Sequence, residues 1–125
     1  MRPATSQLLA NARETLNAAE LLLNQGYLRD SASRAYYAFF YAAKALLNEK
    51  ELSLKKHGAV HSMFAQEFVK TGLFDARFHR DLLNAFNQRQ LGDYDEMVQF
   101  HRDDVLETLQ QANEFLDAVK SFLGE

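Results

Sequence analysis

The sequence predicts an all-α protein, a mostly up-and-down bundle of four to five helices, with residues 1–125 forming one domain. Three observations predict it. Apolar residues recur at steps of three and four through several long segments, the period of a helix with one buried stripe. One proline and five glycines leave room only for short links. Finally, Ala35 to Leu47 is apolar or aromatic at every position except Lys44. A helix there is apolar nearly all round and has to be covered on several sides.

The first helix is expected from about Ser6 to Asn24, with Leu9, Ala12, Leu16, Ala19 and Leu23 as its stripe. Thr5 or Ser6 suits its N-cap, and Gly26 stands where a C-terminal glycine cap would be. A link of a few residues makes the second helix an antiparallel neighbour. That helix starts near Asp30 or Ser31, carries the apolar run and ends near Lys50, which makes it the centre of the bundle. ELSLKKHG reads as a short linker. The third helix covers about Gly58 to Lys70, with Val60, Phe64 and Phe68 four apart and Thr71-Gly72 at its end. Asp75 is the expected N-cap of the fourth, which runs to about Gln90 on the stripe Phe78, Leu82, Ala85, Phe86. Arg89 is the next position on that stripe, a charge at the end of a core-facing row. Gly92-Asp93 then predicts a turn. The fifth helix runs from about Arg102 to Leu123 on Val105, Leu109, Ala112, Leu116, Val119 and Leu123.

Composition excludes several classes. Without cysteine there is no disulfide framework, no thiolate zinc site and no cysteine nucleophile, which suits a reducing compartment. The N-terminus MRPATSQLLA lacks the apolar core of a signal peptide. The central run is shorter than the roughly 20 apolar residues of a membrane span. A cytoplasmic protein without a membrane segment is the expectation. A net charge of −3 argues against a general nucleic-acid binder. The charge is uneven, however. Lys55 to Gly92 is basic and holds three of the four histidines, whereas Asp103 to Glu125 is acidic. Those runs make either a two-faced molecule or ordinary solvated helix faces.

The stretch most able to carry chemistry is Arg89 to Tyr94, RQLGDY. A guanidinium can take a phosphate bidentately, and Tyr94 offers a hydroxyl and a stacking surface for a base. Equally, Arg89 and Asp93 can be a buried pair that pins the end of the fourth helix. His57 and His61 lie four apart on one helical face, but Gly58 stands where an HExxH site has Glu, and no third ligand is at hand. No metal site is expected. Following Lys55-Lys56 at a helix start, His57 and Lys56 suit a phosphate. Ser31 and Ser33 read as capping residues. Tyr36, Tyr37 and Tyr41 read as core aromatics with bonded hydroxyls. Arg34 and Lys44 face a pocket, a subunit interface or solvent. There is no glycine-rich phosphate loop, paired-carboxylate motif or Ser–His–Asp spacing, and no cofactor is called for.

The phrases SRAYYAFFYAAKALL, KKHGAV, FVKTG and RQLGDY, in that order, resemble the HEPN domain family, and more narrowly its small stand-alone prokaryotic members. The resemblance covers nearly the whole chain. It implies a helical bundle that forms homodimers with a composite site at their interface, and metal-independent ribonuclease activity in many members. For the small members it also implies a minimal nucleotidyltransferase as toxin–antitoxin partner, which in some pairs adenylylates a tyrosine near the motif. Catalytic members carry Arg, four to six residues, then His. Arg89 maps onto the arginine, but Tyr94, Asp95 and Glu96 stand at the histidine distances and His101 lies beyond. A phenol, with an ordinary pKa of about 10, is a poor base, which leaves His57 as the alternative imidazole. The candidate catalytic residues are Arg89 and Tyr94, mapped from the resemblance, and His57, offered by its own place at the start of the third helix. The implied RNA- or nucleotide-binding residues are Arg89, Asp93, Tyr94, Lys56 and His57. The competing reading is a non-catalytic dimeric protein-interaction module in which RQLGDY is a structural turn.

Overall fold

The apolar helix is the axis of the molecule. The computed structural model describes residues 1–125 and contains α1 (Pro3–Asn24), α2 (Leu28–Glu49), α3 (His57–Phe64), α4 (Ala76–Tyr94) and α5 (Arg102–Phe122), with no strand. All four other helices pack on α2. The alanines of α2 from Ala32 to Ala45 are fully buried, small side chains that let neighbouring backbones come close. Between Arg34 and Asn48 only Tyr37, Tyr41 and Lys44 stay partly exposed. Their spacing of four and three leaves one uncovered line along an otherwise enclosed helix.

The stripe of α1 is buried as its periodicity predicts, but the helix starts a turn early. Pro3 occupies its first position, where a proline loses nothing because that N–H has no helical partner. Thr5 and Ser6 are therefore inside the helix and neither caps it. Thr5 is buried, and its hydroxyl accepts a hydrogen bond from Asn48 Nδ2 at 3.0 Å. Asp30 and Ser31 do not cap α2 either. The Ser31 hydroxyl donates to the Ala19 carbonyl at 2.7 Å, while the Arg2 backbone N–H donates to Glu49 Oε1 at 2.7 Å at the other end. These two bonds fix α1 and α2 as antiparallel neighbours. Gly26, at φ +85°, takes the left-handed cap between them.

A π-helical turn, Ala65–Val69, extends α3. Residues four apart in an α-helix drift around its surface, because four residues exceed one turn. The wider turn delays that drift, and Val60, Phe64 and Phe68 all reach the core. Phe64 and Phe68 join Phe74, Phe78 and Phe115 in one ring cluster. Removing such a ring typically costs about 3–5 kcal/mol.

Asp75 caps α4 as expected, accepting from the Arg77 N–H at 2.8 Å. The helix then continues to Tyr94, so Gly92-Asp93 is helix and not turn. The cause lies on α2. Arg29 reaches across and donates to the carbonyls of Gly92 and Val98, the latter at 3.1 Å, and so supplies donors to the helix end whose carbonyls lack partners. Phe100 lies against the same guanidinium, 5.3 Å from its ring centre. A Cβ on Gly92 would sit 2.9 Å from Phe100 Cζ, so the glycine serves a close approach inside a helix. The chain turns at Asp95, whose side chain accepts from the Met97 N–H at 2.9 Å. It returns as α5 antiparallel to α4, joined by Thr108 to Gln88 at 3.0 Å and Arg77 to Glu114 at 2.8 Å. No helix is long and apolar enough to cross a membrane.

Candidate functional site

Where α2, α3 and α4 meet, they bury one polar atom group in aromatic surroundings. Tyr36 of α2 is fully buried, and its hydroxyl needs partners. It finds two: His57 Nδ1 at 2.6 Å and His61 Nε2 at 2.8 Å. Their spacing of four puts both imidazoles on the α2-facing side of α3. The His57 ring stacks on Phe40, with centres 4.3 Å apart and planes within 15°. Phe86 of α4 closes the site at 4.9 Å from His61 and 5.3 Å from Tyr36.

Arg89 ends the inward stripe of α4 and enters the same place. Its guanidinium lies 5.1 Å from the Tyr37 ring centre and 5.8 Å from that of Tyr36, within range for a cation over an aromatic face. Asp93, one turn on, brings Oδ2 to 3.0 Å from Arg89 Nε. That oxygen is off the N–H direction, however, and the buried Nε has no hydrogen-bond acceptor. Asp93 therefore balances the charge of Arg89 without satisfying its donors.

Burial sets the protonation states. It holds the Tyr36 phenol above its ordinary range, against the pull of Arg89. Burial first, and the neighbouring imidazoles second, push His61 down to about 4. His57 is lowered by burial, then by the charges of Arg89 and Lys44. At neutral pH the site thus holds a neutral tyrosine, two neutral imidazoles and one cation with free donors. That combination can bind an anionic oxygen and move a proton beside it.

The structure brings together Arg89, Asp93 and His57 and leaves two of the sequence-derived residues apart from them. Tyr94 is the last residue of α4, five after Arg89, and at about 100° per residue it faces well away from the arginine's side of the helix; it is 80% exposed. Lys56 precedes α3 and is exposed. His57 and His61 share a face, and both inward nitrogens converge on the Tyr36 hydroxyl, which occupies the point a shared ligand would need. The residue that sequence reasoning undervalued is Tyr36, which joins the histidines. The uncovered line of α2 leads away from this site with Arg34, Tyr37, Tyr41 and Lys44. The guanidinium of Arg34 lies 5.0 Å from the Tyr37 ring centre.

Comparison with known proteins bears on this arrangement. Residues 5–122 match the HEPN domain family. The chain belongs to the HEPN domain family. This HEPN domain is 40% identical over 114 residues to a UPF0332 protein of Thermotoga maritima, covering 91% of the chain and 86% of that protein. It is 37% identical over 117 residues to a Methanocaldococcus jannaschii protein named "Putative toxin MJ0142", covering 94% of the chain and 80% of that protein. A second protein of the same organism, "Putative toxin MJ0605", is 35% identical over 127 residues and matches 100% of the chain and 92% of its own length. In this HEPN domain the imidazole that shares the Tyr36 and Tyr37 rings with Arg89 comes from α3, not from the residues that follow the arginine in sequence.

Proposed function

We propose that this HEPN domain is a toxin-type protein that binds RNA or nucleotide phosphate at Arg89 and His57, acts as a homodimer and works beside a minimal nucleotidyltransferase. The observation that carries the reading is the convergence of Arg89 and His57, from different helices, on the Tyr36–Tyr37 surface, with Arg89 Nε left without an acceptor. A phosphate oxygen is the acceptor such a guanidinium lacks. The line Arg34, Tyr37, Tyr41 and Lys44 supports a strand of RNA running from the site, because two flat rings lie there between two cations, groups suited to bases and phosphates. The names of the two Methanocaldococcus relatives support the toxin reading. The exposure of Tyr94 leaves its hydroxyl open to a modifying partner.

The test is titration of labelled single-stranded RNA with purified protein in EDTA, with cleavage followed in the same samples. Saturable binding is expected, weakened about tenfold or more in Arg89→Ala. The melting temperature should move little, because the pair is open to solvent on the Asp93 side and leaves the Arg89 Nε unsatisfied, so losing it forfeits little. A folded wild type that binds none of several RNAs sinks the reading, as does an Arg89→Ala that melts early yet binds normally. A second reading, a non-catalytic dimeric interaction module, is favoured by the exposed apolar residues Leu91, Tyr94 and Met97 at 51%, 80% and 85%. It predicts an RNA-inert dimer that Met97→Glu dissociates.

A further inference from the structure

We infer that His57 Nε2 is the proton-accepting atom of the site and that Tyr36 and His61 are positioning residues that decide which nitrogen of His57 carries the lone pair. The inference rests on the phosphate-binding reading for its substrate and on the Tyr36 contacts for its geometry.

A phenol has one proton and sits here between two ring nitrogens. It donates to one and accepts from the other. Two arrangements result. In the first, His57 Nδ1–H donates to Tyr36 and Tyr36 donates to His61 Nε2, leaving a lone pair on His57 Nε2. In the second every bond is reversed, and His57 Nε2 carries the hydrogen. Only the first arrangement tolerates a protonated His57, whose Nδ1 must then donate.

The first arrangement is the one that suits a proton acceptor. His57 Nε2 makes no hydrogen bond, and the only buried side-chain polar atom without a partner is Arg89 Nε, so His57 Nε2 is reached by solvent. The charged groups that act on this ring are Arg89 of α4 and Lys44 of α2; the other titratable groups in contact are Tyr36, Tyr37 and His61. Only the first arrangement lets the solvent-reached Nε2 take a proton while Nδ1 keeps its bond to Tyr36. His61 is buried and neutral and serves as the fixed acceptor at the far end. Tyr36 and His61 thus do for His57 what an orienting group does in any base pair of this kind: they set the tautomer without taking the proton.

The chemistry this permits on RNA is displacement at phosphorus. The 2′-hydroxyl proton passes to His57 Nε2 while the O2′ electron pair forms the bond to phosphorus and the P–O5′ bond breaks. O5′ takes a proton from water, and the imidazolium returns its own to the hydroxide left behind. The products are a 2′,3′-cyclic phosphate and a 5′-hydroxyl, with no oxidant, reductant or other reactant. Arg89, over the Tyr36 and Tyr37 rings that also touch His57, would hold the phosphate.

The deciding measurement is nitrogen NMR of the histidine rings at pH 7.5, where tautomers are read directly. Wild type is expected to show His57 as the Nδ1–H form. In His61→Phe the Tyr36 hydroxyl loses its far acceptor, turns to donate to His57 Nδ1, and His57 switches to the Nε2–H form. Tyr36→Phe removes the bond altogether and should give the same switch, with circular dichroism and melting confirming the fold of both variants. A His57 already in the Nε2–H form, or one indifferent to both substitutions, overturns the inference. Cleavage by the same set follows kcat. His57→Ala abolishes it, and His61→Phe lowers kcat by roughly tenfold or more with KM unchanged. If the wild type cleaves nothing, the substrate reading fails, and the NMR result still decides the tautomer.

Discussion

Asp81 is 4% exposed on α4, and its nearest cation, Arg80, is 3.7 Å away on a side chain that is mostly in water. Burial raises its pKa above the ordinary carboxylate value, with Arg80 and Arg77 only partly offsetting this. The folded state therefore binds the proton more readily than the unfolded one. Stability from this group falls as pH rises through the window between the two values, and the full penalty is present at neutral pH. Asp81→Asn is expected to raise the unfolding free energy at pH 7.5, with the gain vanishing below about pH 4, as followed by urea unfolding across pH. A gain that does not depend on pH would refute the account. His61 works the other way. Its pKa near 4 lies below its ordinary 6.5, so its contribution is complete above about 6.5 and is lost as pH falls towards 4. Differences between Asp81→Asn and wild type separate the two. At this scale the sequence was half legible. The stripe Phe78, Leu82, Ala85, Phe86 placed Arg89 inward. The meeting of His57 with Tyr36 was not readable, because it depends on how far along α2 the third helix docks. That is set by a link in which Glu51 takes a left-handed φ of 62°, a conformation no local pattern marks for a glutamate.

The buried stripes of α1 and α5 follow their periodicity, since a repeat sustained over five turns has one packing solution; the exception is Leu123, which falls just past the end of α5 and is only partly buried. The end of α4 escaped the same logic. Glycine followed by aspartate ordinarily signals a turn, yet here Arg29 supplies donors to the helix end and Phe100 fills the space over the missing Cβ. A paired substitution tests this. Gly58, in the first turn of α3, has open space for 4 Å around the point a Cβ would occupy, so Gly58→Ala should stabilise by about 0.5 kcal/mol. Gly92→Ala carries the same helical gain but drives a methyl into Phe100, and it should lower the melting temperature instead. Equal stabilisation by both would show that Phe100 yields freely and that the close approach sets nothing.

At the scale of the whole molecule, the all-α bundle with a central apolar helix was legible because a helix with so little polar surface forces its neighbours to surround it. What joins the ends of that bundle was not. Arg29 belongs to the start of α2, yet it fixes the end of α4 and the turn after it. Arg29→Met keeps much of the side-chain stem and removes every donor. It should lower stability by about 2 kcal/mol and open the chain between Leu91 and Phe100 to limited proteolysis. Unchanged melting and protease resistance would mean that the turn holds itself.

The Arg29 clasp, which spans more than sixty residues, also orders events during folding. Contacts between distant parts of a chain form after local ones, because the intervening loop has to be closed first. The α1–α2 hairpin and the nearby α3 hold Tyr36, His57 and His61 within a short span of sequence. The last turn of α4, with Asp93 beside Arg89, is secured only when the segment through Val98 has docked on Arg29. A partly folded chain can therefore contain the histidine pair on its tyrosine before it has the balanced arginine. The anion-binding half of the site matures last.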